Sequence, residues 1–424
     1  MESPSTSQLP PLPPASEIPN AFMDSVKQWW SSGEKQMAIS EERLLRRFSY
    51  YQPHKPESLK NIDGPIVAYS SKVELKSNPK HYLNTLTFTS TSAPTANSPP
   101  PAVLLHGYGA GLGFFFKNFN TLAQWAGRRN TSVFAVDWLG MGRSSRPPFS
   151  VSASRKDTKA RVEEAESFFV ESLEEWRQKM GLEKMTLVGH SLGAYFSTVY
   201  ALRYPTRVEK LILLSPAGVP RGPDYSDPAK EVDPSPSGNS TDDVHAATRK
   251  RIEEIEAQQK QAKARESRSR KLFMYLWEEG WSPFQAVRST LFWGPMLVGK
   301  YSSRRFTGLS KEDTRDMHNY ILNITLAKGS GEYCISHILA PGAHARMPLV
   351  DRISALKIPV TFVYGDQDWM DPEGGADSVE ALRKAGNGQG KMYIVNNAGH
   401  HVYLDNPKAV NDLLVKELDR RIPI

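Results

Sequence analysis

The chain alternates between short apolar runs and longer stretches in which apolar residues recur every three or four positions. The apolar runs are AVLLHG, SVFAVDWLG, MTLVG, VEKLILLSP, PVTFVYG and KMYIVNN. Amphipathic stretches separate them, the longest over residues 156–180, and the last helix is predicted to begin at Asn406-Pro407. Short strands that alternate with helices predict an α/β fold, with a mostly parallel central sheet and helices on both faces.

The N-terminal hundred residues are predicted to form helices and strands of a different kind. The first helix has an apolar face made of Phe22, Val26, Trp29 and Trp30. A second helix is predicted to open at Ser40, with Leu44, Leu45 and Phe48 inside it. Residues 66–89 predict two strands joined by a turn, and Phe114 to Trp125 predicts a further helix.

The regular alternation stops after Pro216 and resumes near residue 351. The intervening residues are first highly charged and then crowded with aromatic side chains, which predicts a mainly helical insertion that caps the core. The predicted organisation is a disordered Pro/Ser-rich tail (1–20), N-terminal helices and first strands (21–100), the first part of the core (101–216), the cap insertion (217–350) with a charged, partly disordered segment (222–271), and the second part of the core (351–424).

Composition and charge narrow the class of protein. The 424 residues carry a formal net charge of +7, and no RNA- or DNA-binding motif occurs, so we expect no nucleic-acid partner. A basic protein is attracted to an anionic membrane surface. The single cysteine, Cys334, allows no intrachain disulfide, and the sequence lacks a long apolar span and an apolar signal core. These features predict an intracellular protein, without deciding between mitochondrial, lipid-droplet and cytosolic locations or indicating an oligomeric state.

One short motif suggests catalysis. The sequence GHSLG places Ser191 between Gly189 and Gly193, directly after a predicted strand and before a predicted helix. A nucleophilic serine on a tight turn between strand and helix has this pattern, with the glycines avoiding clashes. At the start of the helix, the backbone amide of Leu192 can stabilise a developing oxyanion.

A nucleophilic serine needs a base and a residue that orients the base, and both are available downstream. The strand VTFVYG is followed by Asp366, Asp368 and Asp371, and the last strand is followed by His400 and His401. All of these follow the carboxyl ends of predicted strands, where open α/β sheets place their sites. We predict Asp368 as the acid with Asp371 as the alternative, and His400 as the base with His401 as the alternative.

The loop after AVLLHG can complete an oxyanion hole. We predict the backbone amide of Tyr108 as the second donor beside Leu192, with Gly109 as the alternative. The ten histidines show no metal-ligand spacing, so we expect neither a metal nor another cofactor.

These residues resemble the α/β-hydrolase superfamily from about residue 100 to 420. The segment Asp137 to Ser145 also resembles the turn after the family's fourth strand, and we interpret it as loop structure. A lipase branch is more similar still, and it contains the fungal cardiolipin-specific deacylases, the N-acyl-phosphatidylethanolamine lipase and the lipid-droplet lipase coactivator. The features that carry this resemblance are the N-terminal Trp-containing helix, LLHGYGAGLGFFFKNFNTLA, YGDQDWMD and GHHVYLDNP.

The resemblance implies an α/β-hydrolase fold and the hydrolysis of acyl esters of glycerophospholipids, with cardiolipin the leading substrate. Two other functions stay open. His400 and Asp405 match the pattern H-x4-D of glycerolipid acyltransferases, which implies a lysophospholipid acyltransferase. The coactivator of this branch lacks the nucleophilic serine, so Ser191 argues against a non-catalytic role. The charged insertion departs from the shorter branch members and leaves the cap geometry open.

Aromatic and basic residues in the predicted cap suit a membrane interface. They are Phe273, Tyr275, Trp277, Trp281, Phe292, Trp293, Arg288, Arg304 and Arg305. Packing of the cap over the core would require aromatic residues equally, and Trp29 and Trp30 allow the same two interpretations. We therefore expect peripheral membrane association and an acyl pocket under the cap as compatible alternatives.

Overall fold

The computed structural model describes residues 9–59, 62–222, 276–277, 279–341 and 343–420. Most of the charged segment 222–271, together with Phe273 and Tyr275, lies outside these residues. The strands are β1 (Tyr51–Gln52), β2 (Ile66–Glu74), β3 (Tyr82–Ser90), β4 (Ala102–Leu105), β5 (Ser132–Val136), β6 (Met185–His190), β7 (Val208–Leu214), β8 (Val360–Gly365) and β9 (Gly390–Val395).

The nine strands form one sheet in the order β1-β2-β3-β5-β4-β6-β7-β8-β9. Strand β3 pairs antiparallel with β2 and β5. The strands from β5 through β4 to β9 pair in parallel. The predicted mostly parallel α/β sheet is therefore confirmed, with its antiparallel part confined to one side.

Helices connect and cover these strands. They are α1 (Phe22–Ser31), α2 (Glu34–Leu45), α3 (Phe119–Arg129), α4 (Thr158–Lys179), α5 (Leu192–Arg203), α6 (Pro283–Ser289), α7 (Gly294–Arg305), α8 (Lys311–Leu326), α9 (Ile335–Ile338), α10 (Glu373–Lys384), α11 (Val402–Asp405) and α12 (Pro407–Asp419). Helices α6 to α9 lie between β7 and β8 in the chain, where the cap insertion is predicted. No helix among the described residues has the length and apolarity needed to cross a bilayer.

The central strands are buried on both faces. Val103 and Leu105 of β4 belong to one apolar cluster, which includes Phe169 of α4. Leu104, between them, belongs to the other, which includes Trp125 of α3. Because successive side chains of a strand point to opposite faces, a strand with helices on both sides reads as a continuous apolar run. This burial explains why short apolar runs marked the strands in the sequence.

Two predicted helix boundaries were wrong. Helix α2 begins at Glu34 and not at Ser40. The Ser40 hydroxyl donates to the carbonyl of Met37 over 2.9 Å. The side chain therefore forms its hydrogen bond within the helix and does not cap the start of one. The helix predicted from Phe114 is divided into a 3₁₀ turn, Leu112–Phe115, and α3. The amide of Gly113 donates to the Tyr320 hydroxyl at 3.0 Å, which holds this turn against α8.

Residues 9–20 lie without helix or strand against the N-terminal and cap helices. The side-chain amide of Asn319 in α8 donates to the carbonyl of Ser16 over 2.7 Å, and Arg315 pairs with Glu17 at 3.1 Å. Disorder of the whole tail therefore stays a prediction. Helix α1 packs on the cap, because the Ser25 hydroxyl bonds the backbone of Phe292 and the ring of Trp29 meets Phe292 edge-on.

Candidate active site

Ser191 lies on the turn between β6 and α5 in a backbone conformation that side-chain-bearing residues rarely adopt. Its φ is 52° and its ψ is −118°. Such strain, on the order of 1–3 kcal/mol, persists only where the surroundings impose it, and it is typical of functional sites. The turn aims the serine side chain away from the sheet at the carboxyl end of β6, as a nucleophile elbow requires.

The glycines on either side of Ser191 are dictated by close backbone packing. A methyl group at Gly193 would lie 2.4 Å from the carbonyl oxygens of Leu105 and His106, at the end of β4. A methyl group at Gly189 would lie 2.6 Å from the α-carbon of Ala194. Carbon atoms do not approach backbone atoms so closely, so the turn can form only with glycine at both positions.

The structure brings Ser191, His400 and Asp368 together. Nε2 of His400 lies 3.0 Å from Oγ of Ser191, and Nδ1 lies 3.1 Å from Oδ1 of Asp368. Both distances suit hydrogen bonds. With Nδ1 protonated and donating to the carboxylate, Nε2 is left to accept the serine proton. This is the arrangement of a nucleophile, a base and a residue that orients the base.

The carboxylates of the other two acidic residues after β8 accept backbone amides of nearby turns. The carboxylate of Asp371 accepts the amide of Glu373 at 2.8 Å, at the start of α10. The carboxylate of Asp366 accepts the amide of Ala398 at 3.1 Å and ties the loops after β8 and β9 together. Asp368 is the acidic residue seen to bond His400, and its side chain is buried. The predicted alternative Asp371 is therefore placed as a turn residue.

Two backbone amides remain available beside the serine. Among the described residues, the amides of Leu192 and Tyr108 donate to no backbone carbonyl or side chain. The loop after β4, which carries Tyr108, is in close contact with the elbow, since a methyl group at Gly107 would lie 2.9 Å from the β-carbon of Ser191. The predicted oxyanion donors thus lie on adjoining segments, with Gly109, the alternative, one residue further along.

The cap covers this loop. The ring of Phe284 in α6 stacks on Tyr108, with ring centroids 5.4 Å apart and planes 12° apart. Gly109 adopts a φ of +74°, and a methyl group there would meet the Phe284 ring at 2.7 Å. On the far side of the site, the half-exposed ring of Trp369 lies 5.1 Å from that of His400. Aromatic residues of two segments therefore border the space above Ser191.

His190 is a site residue that sequence reasoning missed. Its Nε2 lies 2.9 Å from the carbonyl oxygen of His400, so the neutral ring donates to the loop that carries the catalytic candidate. Burial holds the pKa of His190 well below its ordinary value, which keeps the ring neutral. The feature of the sequence that could have identified His190 as a site residue was its position next to Ser191, at the end of a buried strand.

The residues of the H-x4-D pattern do not pair with each other through their side chains. One carboxylate oxygen of Asp405 accepts the amide of Gly399 at 3.0 Å, and the other pairs with Arg305 of α7 at 2.9 Å. The Arg305 side chain also donates to Nδ1 of His401 at 3.3 Å. His401 stacks on Phe114 instead of facing Ser191, and burial lowers its pKa well below the ordinary value.

The turn from Asp137 to Ser145 is held by buried hydrogen bonds, in keeping with its interpretation as loop structure. The Asp137 carboxylate accepts the amides of Leu112 at 2.7 Å and of Arg143 at 2.8 Å. The Asn84 amide bridges it to Glu41 of α2, which pairs with Arg143 at 2.6 Å. Burial raises the pKa of Glu41 to about 7. This cluster joins the N-terminal helices to the core.

Within the described ranges, no group of three or more His, Cys, Asp or Glu residues is placed to hold a metal ion. The arrangement supplies a hydroxyl nucleophile, a base and amide donors, which together suit acyl transfer.

The sequence profile of the α/β hydrolase fold family matches residues 100–407. That match spans most of the chain and includes all three residues of the Ser191 site, so the chain belongs to the α/β-hydrolase family.

Curated relatives link this chain to enzymes of lipid metabolism. It is 33% identical to a 1-acylglycerol-3-phosphate O-acyltransferase of Arabidopsis thaliana, over 90% of this chain and 79% of the relative. It is 31% identical to a (lyso)-N-acylphosphatidylethanolamine lipase of Homo sapiens, over 78% of this chain and 83% of that protein. The predicted resemblance to a lipase branch of the family is thereby confirmed.

Solved structures confirm the fold. Carboxylesterase CesB from Bacillus subtilis superimposes with a TM-score of 0.50 at 17% identity, covering 92% of this chain and 99% of the esterase. At this level of identity, the likeness concerns the fold alone.

Proposed function

We propose that this protein is a serine hydrolase that deacylates glycerophospholipids, with Ser191, His400 and Asp368 as its catalytic residues. The observation that carries the proposal is the chain of two hydrogen bonds, 3.0 and 3.1 Å long, that links serine, histidine and aspartate on a strained elbow. A strained turn costs free energy of folding, and catalysis explains why this strain occurs together with an aligned triad.

The reaction follows from this geometry. His400 takes the proton of Ser191 as Oγ attacks the acyl carbonyl, and the amides of Leu192 and Tyr108 hold the resulting oxyanion. His400 then protonates the leaving alcohol, which is the deacylated lipid. Water attacks the acyl-enzyme with His400 again as base, and the proton returns to Ser191 as the fatty acid leaves. Asp368 keeps the imidazole in the required tautomer throughout.

The choice of a phospholipid rests on the relatives and on the cap. The two relatives described above are named for acyl-glycerol phosphate and for N-acylphosphatidylethanolamine, both of which are acylated phospholipids. The aromatic rings of Phe284 and Trp369 next to the site suit an acyl chain. Cardiolipin as the particular substrate, and the mitochondrial or lipid-droplet location, stay predictions.

A second candidate activity is acyl transfer to a lysophospholipid. The name of the plant relative favours it. The same acyl-enzyme would serve, with the hydroxyl of a lysophospholipid in place of water as the attacking group. In this scheme His400 still works with Asp368, because the Asp405 carboxylate is engaged by Gly399 and Arg305. Hydrolase and acyltransferase would then differ only in which acceptor reaches the acyl-enzyme.

Peripheral membrane association is part of the proposal. Trp30 of α1 is 78% exposed and Trp293, just before α7, is 55% exposed. The Phe22 ring of α1 lies 4.7 Å from that of Trp293, so exposed rings of α1 and of the segment before α7 are in contact. Phe22, Trp30 and Trp293 are together called the exposed patch. Large exposed aromatic residues beside a basic helix are typical of interfacial binding. Trp29, by contrast, is held against Phe292 and serves as a packing residue.

The decisive experiment is labelling by a fluorophosphonate probe in the presence of phospholipid vesicles. The wild type should be labelled and Ser191→Ala should not. The matched control is Ser172→Ala, since Ser172 is also a buried serine but lies within helix α4, where its hydroxyl donates to the carbonyl of Phe169 in the same helix. Lipids treated with each protein are then analysed for released fatty acid and for newly acylated lysophospholipid.

The outcomes separate the candidate functions. Free fatty acid that depends on Ser191 supports the hydrolase, and acyl chains recovered on an added lysophospholipid support the transferase. Equal labelling of wild type and Ser191→Ala would refute the catalytic serine. Absence of labelling in both would favour the remaining alternative, a non-catalytic adaptor for another lipase.

A further inference from the structure

The loop that carries His400 lies outside the helices and strands. It covers residues 396–401 and joins the end of β9 to α11. The backbone of such a loop is held by tertiary hydrogen bonds and not by a regular ladder, so the position of the proposed base depends on the partners of this loop. On the core side, the carbonyl of His400 accepts a hydrogen bond from His190 at 2.9 Å. One of the contacts that fix the loop therefore comes from the end of β6.

A second set of contacts comes from the cap. Arg305, the last residue of α7, donates through Nη1 to Oδ1 of Asp405 at 2.9 Å and through Nε to Nδ1 of His401 at 3.3 Å. Its third nitrogen, Nη2, is shielded from solvent and has no hydrogen-bond partner among the described residues. Every hydrogen bond described for this guanidinium therefore goes to the histidine loop or to the short helix α11 that follows it.

Asp405 extends this contact to the residue before the proposed base. Its second carboxylate oxygen, Oδ2, accepts the backbone amide of Gly399 at 3.0 Å. The side chains of Arg305 and Asp405 are 23% and 21% exposed, so the ion pair is partly shielded and is screened less than a fully solvated pair. The three consecutive residues 399–401 are thus each fixed by a different partner, two of them by way of the cap arginine.

A second ion pair in the molecule shows what simple docking of two helices looks like. Arg129 and Asp419, the last residues of α3 and α12, pair at 2.8 Å. The Asp419 carboxylate accepts from the side chains of Arg129 and Trp125. Asp405 differs because it accepts a backbone amide directly beside the proposed base. The cap pair therefore acts on the backbone of the site in addition to joining two helices.

We propose that Arg305 is a positioning residue for His400 and acts from the cap through Asp405. The ion pair orients the carboxylate, the carboxylate holds the amide of Gly399, and this keeps Nε2 of His400 at 3.0 Å from Oγ of Ser191. The inference rests on the proposed function. It gives the H-x4-D pattern a role in orienting the base, in place of a separate acyltransferase site. The cap thereby contributes to turnover without touching the reacting atoms.

The first test measures the loop directly and depends on no reaction. Hydrogen exchange detected by mass spectrometry is compared for the wild type, Arg305→Gln and Arg129→Gln. Arg305→Gln should accelerate exchange in the peptide covering residues 396–404 by about threefold, the scale of one partly shielded ion pair, because the amide of Gly399 is held less firmly. Arg129→Gln should leave this peptide unchanged. Unchanged exchange in Arg305→Gln would overturn the inference whether or not the protein is a hydrolase.

The second test measures turnover of p-nitrophenyl butyrate, a soluble ester that needs no membrane. Arg305→Gln should lower kcat about tenfold and leave KM within about twofold, because the base is misaligned while the ester still binds. Arg129→Gln should keep the wild-type kcat. Equal kcat for Arg305→Gln and the wild type would refute the positioning role. A wild type without activity on any ester would instead contradict the proposed function, and with it this inference.

A double-mutant cycle tests whether Arg305 acts through Asp405. Asp405→Asn keeps an oxygen for the amide of Gly399 but loses the ion pair, so we expect a similar fall in kcat. The double variant should be no slower than the slower single variant, since both substitutions remove the same link. Losses that multiply would show two independent effects and refute the action through Asp405.

Arg305→Lys separates the charge from the shape of the arginine side chain. A lysine ammonium can pair with Oδ1 of Asp405, which accepts from a single nitrogen of Arg305, so most of the lost kcat should return. Activity as low as that of Arg305→Gln would contradict the role of the ion pair. All variants should keep the wild-type Tm within a few degrees, because a partly exposed pair contributes little to stability. A fall in kcat confined to variants that also lose the fold would show a purely structural role and refute the proposal.

Discussion

The carboxyl ends of the central strands and the helices of the cap differ in which atoms would block an added methyl group. At the elbow, a methyl group on Gly193 would meet backbone carbonyl oxygens at 2.4 Å. On α7, a methyl group on Gly299 would meet the side chain of Ile18 at 3.0 Å, and one on Gly308, after α7, would meet nothing within 4 Å. Backbone atoms cannot yield, whereas side-chain ends can. At these positions the elbow therefore holds a single geometry, whereas α7 and the residues directly after it can adapt.

Solvent exposure shows the same division. Ser191, Asp368 and the strands β6 and β8 that present them are almost entirely buried, while the largest exposed rings lie on α1, beside α7 and at Trp369. A rigid site suits chemistry, which depends on distances of about 3 Å. An adaptable apolar surface suits lipids, which have no fixed shape. The contrast predicts that changes in the core alter turnover and changes at the exposed rings alter lipid binding.

The largest effect is expected from loss of the proposed base. His400→Gln should lower kcat by about a thousandfold or more, because the serine loses its proton acceptor. Its Tm should stay within a few degrees of the wild type, since the ring is at the edge of the core. Release of fatty acid from a soluble ester measures the rate. A fall of less than tenfold would mean that another residue serves as base.

The next largest effect concerns the elbow itself. Gly193→Ala should reduce the free energy of unfolding by about 3 kcal/mol and abolish most activity, since the added methyl group forces the elbow away from β4. Gly308→Ala is the matched control and should change neither quantity appreciably. Urea denaturation compares the variants. Equal stability of the two alanine variants would show that the core is as adaptable as the cap.

A smaller effect is expected from the exposed patch. The double variant Trp30→Ala and Trp293→Ala should bind anionic vesicles at least about tenfold more weakly, because two large rings no longer enter the interface. Hydrolysis of a soluble ester should be unchanged. Leu59→Ala, also at an exposed apolar position, serves as control in vesicle flotation. Unaltered flotation of the double variant would remove this patch from the proposed membrane surface.

The smallest effect on turnover is expected at Glu41, where only the pH dependence of stability should change. Burial raises the pKa of Glu41 from 4.5 to about 7, so the folded protein binds this proton more tightly than the unfolded chain does. Its stabilising contribution is present below about pH 4.5 and is lost as the pH rises through about 7. The Tm of wild type minus that of Glu41→Gln should therefore decrease across this window. A constant difference would contradict the raised pKa.

Much of the candidate site could be predicted because strand ends are visible in a sequence. Ser191, Asp368 and His400 each follow an apolar run, and the carboxyl ends of parallel strands meet at one edge of the sheet. The preference for Asp368 over Asp371 rested on distance from the strand end. The structure places Asp371 in the turn that begins α10, and Asp368 against His400.

Residues that reach the site from the cap could not be predicted. Arg305 and Phe284 occur in segments without regular spacing to GHSLG, and their contacts join positions that are far apart in the chain. No local pattern records such contacts. The misplaced start of α2 has a related cause, because Ser40 looks like a helix cap until its hydroxyl is seen bonding within the helix.

The α/β fold, the elbow and the set of candidate catalytic residues could be predicted from the amino-acid sequence alone, because periodic burial and tight turns leave local patterns of apolar residues and glycines. Contacts between distant segments, in contrast, establish which aspartate and which histidine meet Ser191, and how α6 and α7 lie against the oxyanion and histidine loops. Those contacts depend on how distant segments pack together, and packing is a property of the whole chain.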